Sequence, residues 1–273
     1  MPELPEVEVT RRGIAAGVAG RRLDRAVLRA PALRYPVPAG LARRLAGRTL
    51  RAVERRGKYL LLDFGSGHLL IHLGMSGSLR FVAPGARPGQ HDHADFVFGA
   101  KGNERVLRYT DPRRFGALLW LEGDPLAHPL LAKLGIEPLT RAFTAKWLHA
   151  ALRGKSVPIK QAIMDGSLVV GVGNIYASES LFDAGIDPRT PAQRLSLARL
   201  GLLVPEIKKT LRAAIRAGGS SLRDFCGPDG MGDFQTRHQV YDRAGESCAK
   251  CGTPIRQIRQ GQRSTYFCPR CQR

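Results

Sequence analysis

The sequence is poor in several things that would have decided its class early. No stretch approaches the ~18 consecutive apolar residues of a helical membrane span. The first residues, MPELPEVEV, are acidic and interrupted by proline, and lack the basic-then-apolar order of an export signal. A protein of the cytoplasm is therefore expected, with no membrane partner. Acidic side chains are also scarce: 23 Asp and Glu face 43 Lys and Arg, a formal charge of +20 in 273 residues. Aromatics make up only 7%, yet 43% of residues are hydrophobic, too many for a disordered chain, and the 31 glycines show no collagen period. Internal repeats are absent. What remains is a folded, strongly basic chain of one to two domains, suited to a polyanionic partner.

Residues 3–19 read as a helix, with Leu4, Val7, Ile14 and Val18 near one face, Glu3, Glu6 and Glu8 in the first turns, and Gly20 as a stop. From Leu23 to Leu121 the pattern is β-rich, in runs 23–29, 49–64, 68–82, 94–98 and 105–121, which suggests an antiparallel sandwich or barrel. Beyond Asp124-Pro125 the period becomes helical over 126–134, 144–153, 158–165, 174–184 and 193–217. Residues 219–236 form a long Gly-rich polar loop, and such loops tend to be functional. The boundaries expected are 1–124, a hinge at 125–135, a helical domain at 136–236 and a small module at 237–273.

That module carries the strongest motif. Cys248 and Cys251, then Cys268 and Cys271, form two CxxC knuckles whose separation suits one tetrahedral Zn²⁺. Four thiolates leave zinc no open position, so the metal is structural. Two disulfides are the other reading, disfavoured by the missing export signal. Between the knuckles Arg256, Arg259 and Arg263 fall on a hairpin, a plausible nucleic-acid finger. Cys226 is unpaired and reads as an inert thiol.

At the other end, loss of Met1 exposes the secondary amine of Pro2 beside Glu3 and Glu6. An α-amine titrates near pH 8 against about 10.4 for lysine, so far more of it is a free nucleophile near neutrality. Taken alone, a proline so near the chain start is more often a helix-starting residue, and the two glutamates are by default helix N-terminal acids. Three further segments fit a nucleic-acid surface. In 111-DPRRFG-116, Arg113 and Arg114 followed by Phe115 suit a phosphate clamp with an apolar wedge. In 72-HLGMSG-77, Met75 sits on a turn between glycines, an odd place for a core methionine. In 171-GVGNIYASE-179, Asn174 opens a helix whose amides suit phosphate. Each has an ordinary structural reading; together on a +20 chain they favour DNA.

MPELPEVE at 1–8, GKYLLL at 57–62, HLGMSGSLR at 72–80, TDPRRFG at 110–116, LVVGVGNIYASESLF at 168–182 and QVYDR through the four-cysteine ribbon resemble the bacterial formamidopyrimidine-DNA glycosylase family. The resemblance runs essentially end to end. It implies an α+β multidomain fold: an N-terminal helix and β-sandwich, a helix-two-turn-helix domain with a lesion-recognition loop at 219–236, and a C-terminal zinc finger. It further implies a monomeric, nucleoid-associated base-excision enzyme that removes oxidised purines from double-stranded DNA and cuts on both sides, without a small-molecule cofactor. Carried over by residue, Pro2 is the nucleophile, Glu3 the acid for sugar ring opening and Lys58 the proton donor and phosphate contact of β-elimination, while Arg263 sits at the phosphate released by δ-elimination. His72, Met75, His91, Arg113, Arg114, Phe115, Lys155 and Asn174 are implied DNA contacts, and Glu6 and Ser221 lesion contacts. Two alternatives stand beside this: an endonuclease VIII-like glycosylase for oxidised pyrimidines, and a non-catalytic zinc-finger DNA-binding protein, which has no need of a processed Pro2.

Overall fold

The computed structural model describes residues 2–220 and 233–273. Two compact units emerge: Met1–Ala132 with Ala217–Asp233, and Lys133–Arg216 with Phe234–Arg273.

The first unit starts with helix α1 (Leu4–Val18). Glu3 is its N-cap, and the Glu6 carboxylate accepts the Glu3 N–H at 2.8 Å, which satisfies one of the helix's orphan donors. Gly20, at φ 78°, follows its end. Val7, Ile14 and Val18 point into a core shared with Leu41 and Leu45 of the short helix α2 (Leu41–Leu45). Strands β1 (Leu23–Leu28), β6 (Asp92–Phe98), β7 (Arg105–Thr110) and β5 (Ser78–Val82) form one antiparallel sheet in that order. The other runs β2 (Ala52–Arg56), β3 (Tyr59–Asp63), β4 (His68–His72), β8 (Ala117–Leu121). Alternation sends Leu60, Leu62, Leu69 and Ile71 from this sheet into the same core as Phe96, Phe98, Leu107 and Tyr109 from the first. That shared core makes a sandwich and settles the sandwich-or-barrel question. A short helix α3 (Pro129–Ala132) closes the unit's first stretch.

Each long β run expected from the sequence is a pair of strands. The 49–64 run folds back at Gly57-Lys58, where Arg56 pairs with Tyr59 and Gly57 takes φ 57°, as a two-residue hairpin requires. The 68–82 and 105–121 runs break at the Met75 and Arg113 turns and feed different sheets. Helix α2 lies between the 23–29 and 49–64 runs, where no element was expected.

The second unit contains α4 (Ala145–Ala151), α5 (Ile159–Met164), α6 (Asn174–Asp183) and α7 (Leu197–Arg216), close to the expected segments. Residues 193–196 lie before α7, not within it, and Pro205 sits inside α7 without ending it. Strands β9 (Arg256–Gln260) and β10 (Arg263–Phe267) form the finger hairpin. Phe182 of α6 packs in one cluster with Val240, Ile255, Tyr266, Cys248 and Cys268, so finger and helices share a small core. Among the described residues no helix is long and apolar enough to cross a membrane.

Candidate active site and nucleic-acid interface

In the first unit Pro2 is buried and Glu3 is only 4% exposed, both at the end of α1 whose free amides favour negative charge. Glu6 is fully buried. Its Oε2 takes the Glu3 amide and its Oε1 the Ser220 amide at 2.9 Å, so it fastens the start of α1 to the segment after α7. Gly219 is needed there: at φ 82° a Cβ would also stand 3.1 Å from the Glu6 carboxylate. Ser221 and Cys226 lie outside the described residues, as does most of the 219–236 loop.

Lys58 occupies the β2–β3 turn. Arg55 holds this turn by donating to the Gly57 carbonyl at 2.9 Å, and donates as well to Glu8 on α1 at 3.1 Å. Arg11 adds a bond from α1 to the Val53 carbonyl of β2, 3.2 Å. The helix bearing Pro2 and the turn bearing Lys58 are thus cross-braced. His72, at the end of β4, accepts the Gly74 N–H at Nδ1, 3.0 Å, and its ring lies 4.8 Å from that of Tyr59. Burial, followed by the charges of Lys58 and Arg34, pushes His72 down to about 4 against the opposing charge of Asp111. It is neutral at physiological pH.

The Met75 and Arg113 turns stand side by side. A Cβ on Gly74 would fall 2.5 Å from the Gly116 nitrogen, and one on Gly116 1.8 Å from the Tyr109 hydroxyl, so both positions need glycine for the backbones to meet. Met75 is half-buried. Arg113, Arg114 and Phe115 are exposed, Phe115 by 45%, and the Arg113 guanidinium lies 5.0 Å over the Phe115 ring. Arg114 adopts φ 55°, a left-handed conformation for a non-glycine residue. His91 is exposed on the loop before β6, where its carbonyl accepts the Asp111 N–H at 3.0 Å.

In the second unit Lys155 is half-buried just before α5. Asn174 is the first residue of α6, and its buried Oδ1 has no hydrogen-bond partner among the described residues. Arg263 is exposed at the start of β10. The sequence reading missed Lys160. This lysine is 1% exposed and donates from Nζ to the Ser264 carbonyl (3.1 Å) and Thr265 Oγ1 (2.8 Å), which seats the strand bearing Arg263 on α5. A lysine on an amphipathic helix reads as a solvent residue, so nothing in the sequence marked it. It lines a cavity of about 320 Å³ with Gln161, Met164, Gln262 and Arg263. Glu179 was likewise unassigned: buried, it accepts the amides of Gln239, Val240 and Tyr241 at 2.8–3.0 Å and anchors the approach to the finger.

The four finger sulfurs lie within 4.8 Å of one another, with Cys248–Cys271 at 3.9 Å and Cys251–Cys268 at 3.5 Å. Tetrahedral zinc with Zn–S of about 2.3 Å requires sulfur–sulfur edges of about 3.8 Å, so the donor set fits. None of the four is in a disulfide. The Cys271 amide points at Cys268 Sγ, 3.4 Å, in the manner of a metal knuckle.

Family models match three consecutive stretches of the chain. The formamidopyrimidine-DNA glycosylase N-terminal domain matches residues 1–118, the formamidopyrimidine-DNA glycosylase H2TH domain 134–226, and the zinc finger found in FPG and IleRS 245–273. Proteins named formamidopyrimidine-DNA glycosylase from Paraburkholderia phymatum and Aromatoleum aromaticum are 57% and 59% identical over 280 and 274 positions, with 100% of each chain covered. Among solved structures, the MutM (Fpg) protein of Thermus thermophilus is 40% identical, with 99% of this chain and 98% of that one covered and a TM-score of 0.87. The Lactococcus lactis Fpg in complex with DNA containing an abasic site is 34% identical, covers 99% of both chains and has a TM-score of 0.91. Matched along its whole length in sequence and in fold, the chain belongs to the formamidopyrimidine-DNA glycosylase family.

Proposed function

We propose that the protein is a bifunctional DNA glycosylase and abasic-site lyase that removes oxidised purines, 8-oxoguanine and formamidopyrimidines, from duplex DNA. The observation that carries this is the presence in one unit of a buried Pro2 and Glu3 at a helix end and of a half-buried Met75 beside an exposed Arg113 and Phe115: a reaction head and a wedge. The non-catalytic alternative leaves the first unexplained. The pyrimidine-directed alternative is disfavoured by full-length relatives that bear the purine-directed name.

With Met1 removed, the Pro2 lone pair attacks C1′ of the damaged nucleoside. The bond to the base breaks, and the departing base carries away the electron pair and takes up a proton. Glu3 protonates the ring oxygen, the sugar opens, and an iminium forms between Pro2 and C1′. That cation acidifies C2′, so loss of its proton expels the 3′ phosphate; a second elimination expels the 5′ phosphate. Lys58 serves the first elimination and Arg263 the second, each as a cation where phosphate charge accumulates. Asn174 and Arg263 hold the lesion's phosphate, and His72, His91, Arg114 and Lys155 contact the DNA. Met75, Arg113 and Phe115 fill the gap left by the extruded base, with Glu6 and Ser221 toward the lesion. In this reading residues 1–124 carry the chemistry, 125–135 the hinge, and 136–236 and 237–273 the grip on DNA, in a monomer associated with the bacterial nucleoid. Zinc, when bound to the four cysteines, supplies folding and no chemistry.

The test is a duplex containing 8-oxoguanine opposite cytosine, with and without borohydride. Strand cleavage and a reduced covalent adduct on the Pro2 peptide are expected. An adduct on Lys58, or normal cleavage by protein that retains Met1, removes Pro2 from the role.

A further inference from the structure

Asp111 has no exposed surface, yet its carboxylate accepts hydrogen bonds from three neutral donors: Ser76 Oγ (2.9 Å) on Oδ1, and Tyr109 Oη (3.2 Å) and the Gly116 amide (2.8 Å) on Oδ2. A buried carboxylate held by neutral donors is costly compared with an apolar residue of the same size, so its contribution is to geometry. The geometry it fixes is the turn between β7 and β8. Ser76, 3% exposed, donates its hydroxyl proton to Asp111 and accepts the Arg113 amide on its oxygen at 3.2 Å. Gly116, directly after Phe115, is held from the other side. The Asp111 carbonyl takes the Arg114 amide at 3.2 Å and faces His93 Nε2 at 2.8 Å. Residues 113–115 are thereby clamped at one end by Ser76, itself held by Asp111, and at the other by the Asp111 carboxylate directly, with Arg114 in its left-handed conformation between them. Because Ser76 is also the neighbour of Met75, one carboxylate sets both turns.

We propose that the buried Asp111–Ser76 pair is the positioning device through which the enzyme reads the base opposite the lesion. It rests on the reading given above, in which Met75, Arg113 and Phe115 enter the vacated stack. Arg113 presents only donors, which suit the O2 and N3 acceptors of an orphaned cytosine and conflict with the amino group of adenine. Such discrimination depends on where the guanidinium stands, and a displacement of about 1 Å is enough to spoil an aligned contact. Its place is set by the Arg113 backbone, which Ser76 and Asp111 hold. Neither residue touches DNA in this scheme.

The experiment measures single-turnover excision of 8-oxoguanine opposite cytosine and opposite adenine, and strand cleavage at a preformed abasic site opposite cytosine, for wild type, Ser76→Ala, Arg113→Ala and the double variant. Ser76→Ala leaves Asp111 two of its donors but removes the partner of the Arg113 amide. Its cytosine-over-adenine preference is expected to fall about ten-fold, the worth of one hydrogen bond to a charged network. Cleavage at the abasic site, which has no base to expel, should change by less than about two-fold, and adding Ser76→Ala to Arg113→Ala should cost no further preference, since the two act as one unit. An unchanged preference in Ser76→Ala, an equal fall in all three rates, or a full Ser76→Ala effect on top of Arg113→Ala overturns the proposal. So does a wild type that excises equally opposite both bases. Should Ser76→Ala melt below the assay temperature, Asp111→Asn is read on the same scale. A wild type that neither excises nor is trapped by borohydride overturns the catalytic reading itself, an outcome distinct from the others.

Discussion

Arg55 donates to the Glu8 carboxylate at 3.1 Å and is only 11% exposed, so an ion pair braces α1 against the hairpin that carries Lys58. Burial alone would push the Glu8 carboxyl up. The hydrogen bonds from Arg11, Arg12 and Arg55 and the charge of Arg11 outweigh that and hold it at about 2. A carboxyl lowered on folding contributes stability that is complete above its unfolded value, near 4.5, and is lost as pH falls toward 2. Glu8→Gln is expected to cost about 2 kcal/mol at neutral pH, a figure reduced for partial solvent screening, and to flatten the acid limb of the stability curve between those values. Urea unfolding at pH 7, 4 and 3 measures both; parallel curves for variant and wild type would remove Glu8 from the acid response.

His72 should give no NMR titration between pH 5 and 8. Its depressed value means the unfolded chain binds a proton that the folded one does not, so its contribution is full above about 6.5 and declines as pH drops toward 4. Because the Lys58 charge is one cause, Lys58→Met should move the His72 midpoint upward. A midpoint that stays put in this variant would remove the Lys58 charge from its causes and leave burial and Arg34.

Gly116→Ala should be among the most damaging small substitutions in the chain. Its Cβ would stand 1.8 Å from the Tyr109 hydroxyl and 2.5 Å from the His72 carbonyl, which is backbone and cannot swing aside. A loss of about 3 kcal/mol or more is expected, from overpacking together with the disturbed hydrogen bonds of Asp111. Arg114→Gly, by contrast, relieves a left-handed residue while loosening the unfolded chain, and should change stability by less than about 0.5 kcal/mol. Thermal melts of the two variants should therefore separate widely; similar melting points would mean that the two turns are not in contact as described.

Zinc removal should act on the finger first. The cluster of Phe182, Val240, Ile255 and Tyr266 includes Cys248 and Cys268, so loss of metal opens a core as well as a coordination site. Chelation, or Cys268→Ser, is expected to expose the hairpin to trypsin at Arg256 and Arg259 and to weaken duplex binding at least ten-fold, about 1.4 kcal/mol. Elemental analysis should find one zinc per chain. Full DNA affinity in metal-free protein would detach the finger from binding.

How far these features could be read in the sequence depended on how local their causes are. The CxxC knuckles, the glycines around Met75 and the Asp-Pro opening of the Arg113 turn act through their immediate neighbours, and each appears as a turn or knuckle where expected. The Gly57-Lys58 hairpin was hidden inside an apparently continuous β run because one glycine between charged residues is a weak break. Helix α2, five residues long, is too short to show a period. Lys160, Asp111 and Glu179 were invisible for a different reason: each matters through burial against residues distant in sequence, and charged side chains carry no local mark of being inside.

The close approach of Gly74 and Gly116 also bears on how this protein could be re-engineered. The frame that carries the proposed wedge is dimensioned by backbone atoms and by the buried Asp111, whereas Arg113 and Phe115 project from it and Met75 lies half-buried on the neighbouring turn. Those three side chains are therefore interchangeable parts on a fixed mount. Libraries that vary them while keeping Gly74, Ser76, Asp111 and Gly116 should yield folded proteins at high frequency and shift which opposing base is accepted, and random changes to the mount should mostly yield none.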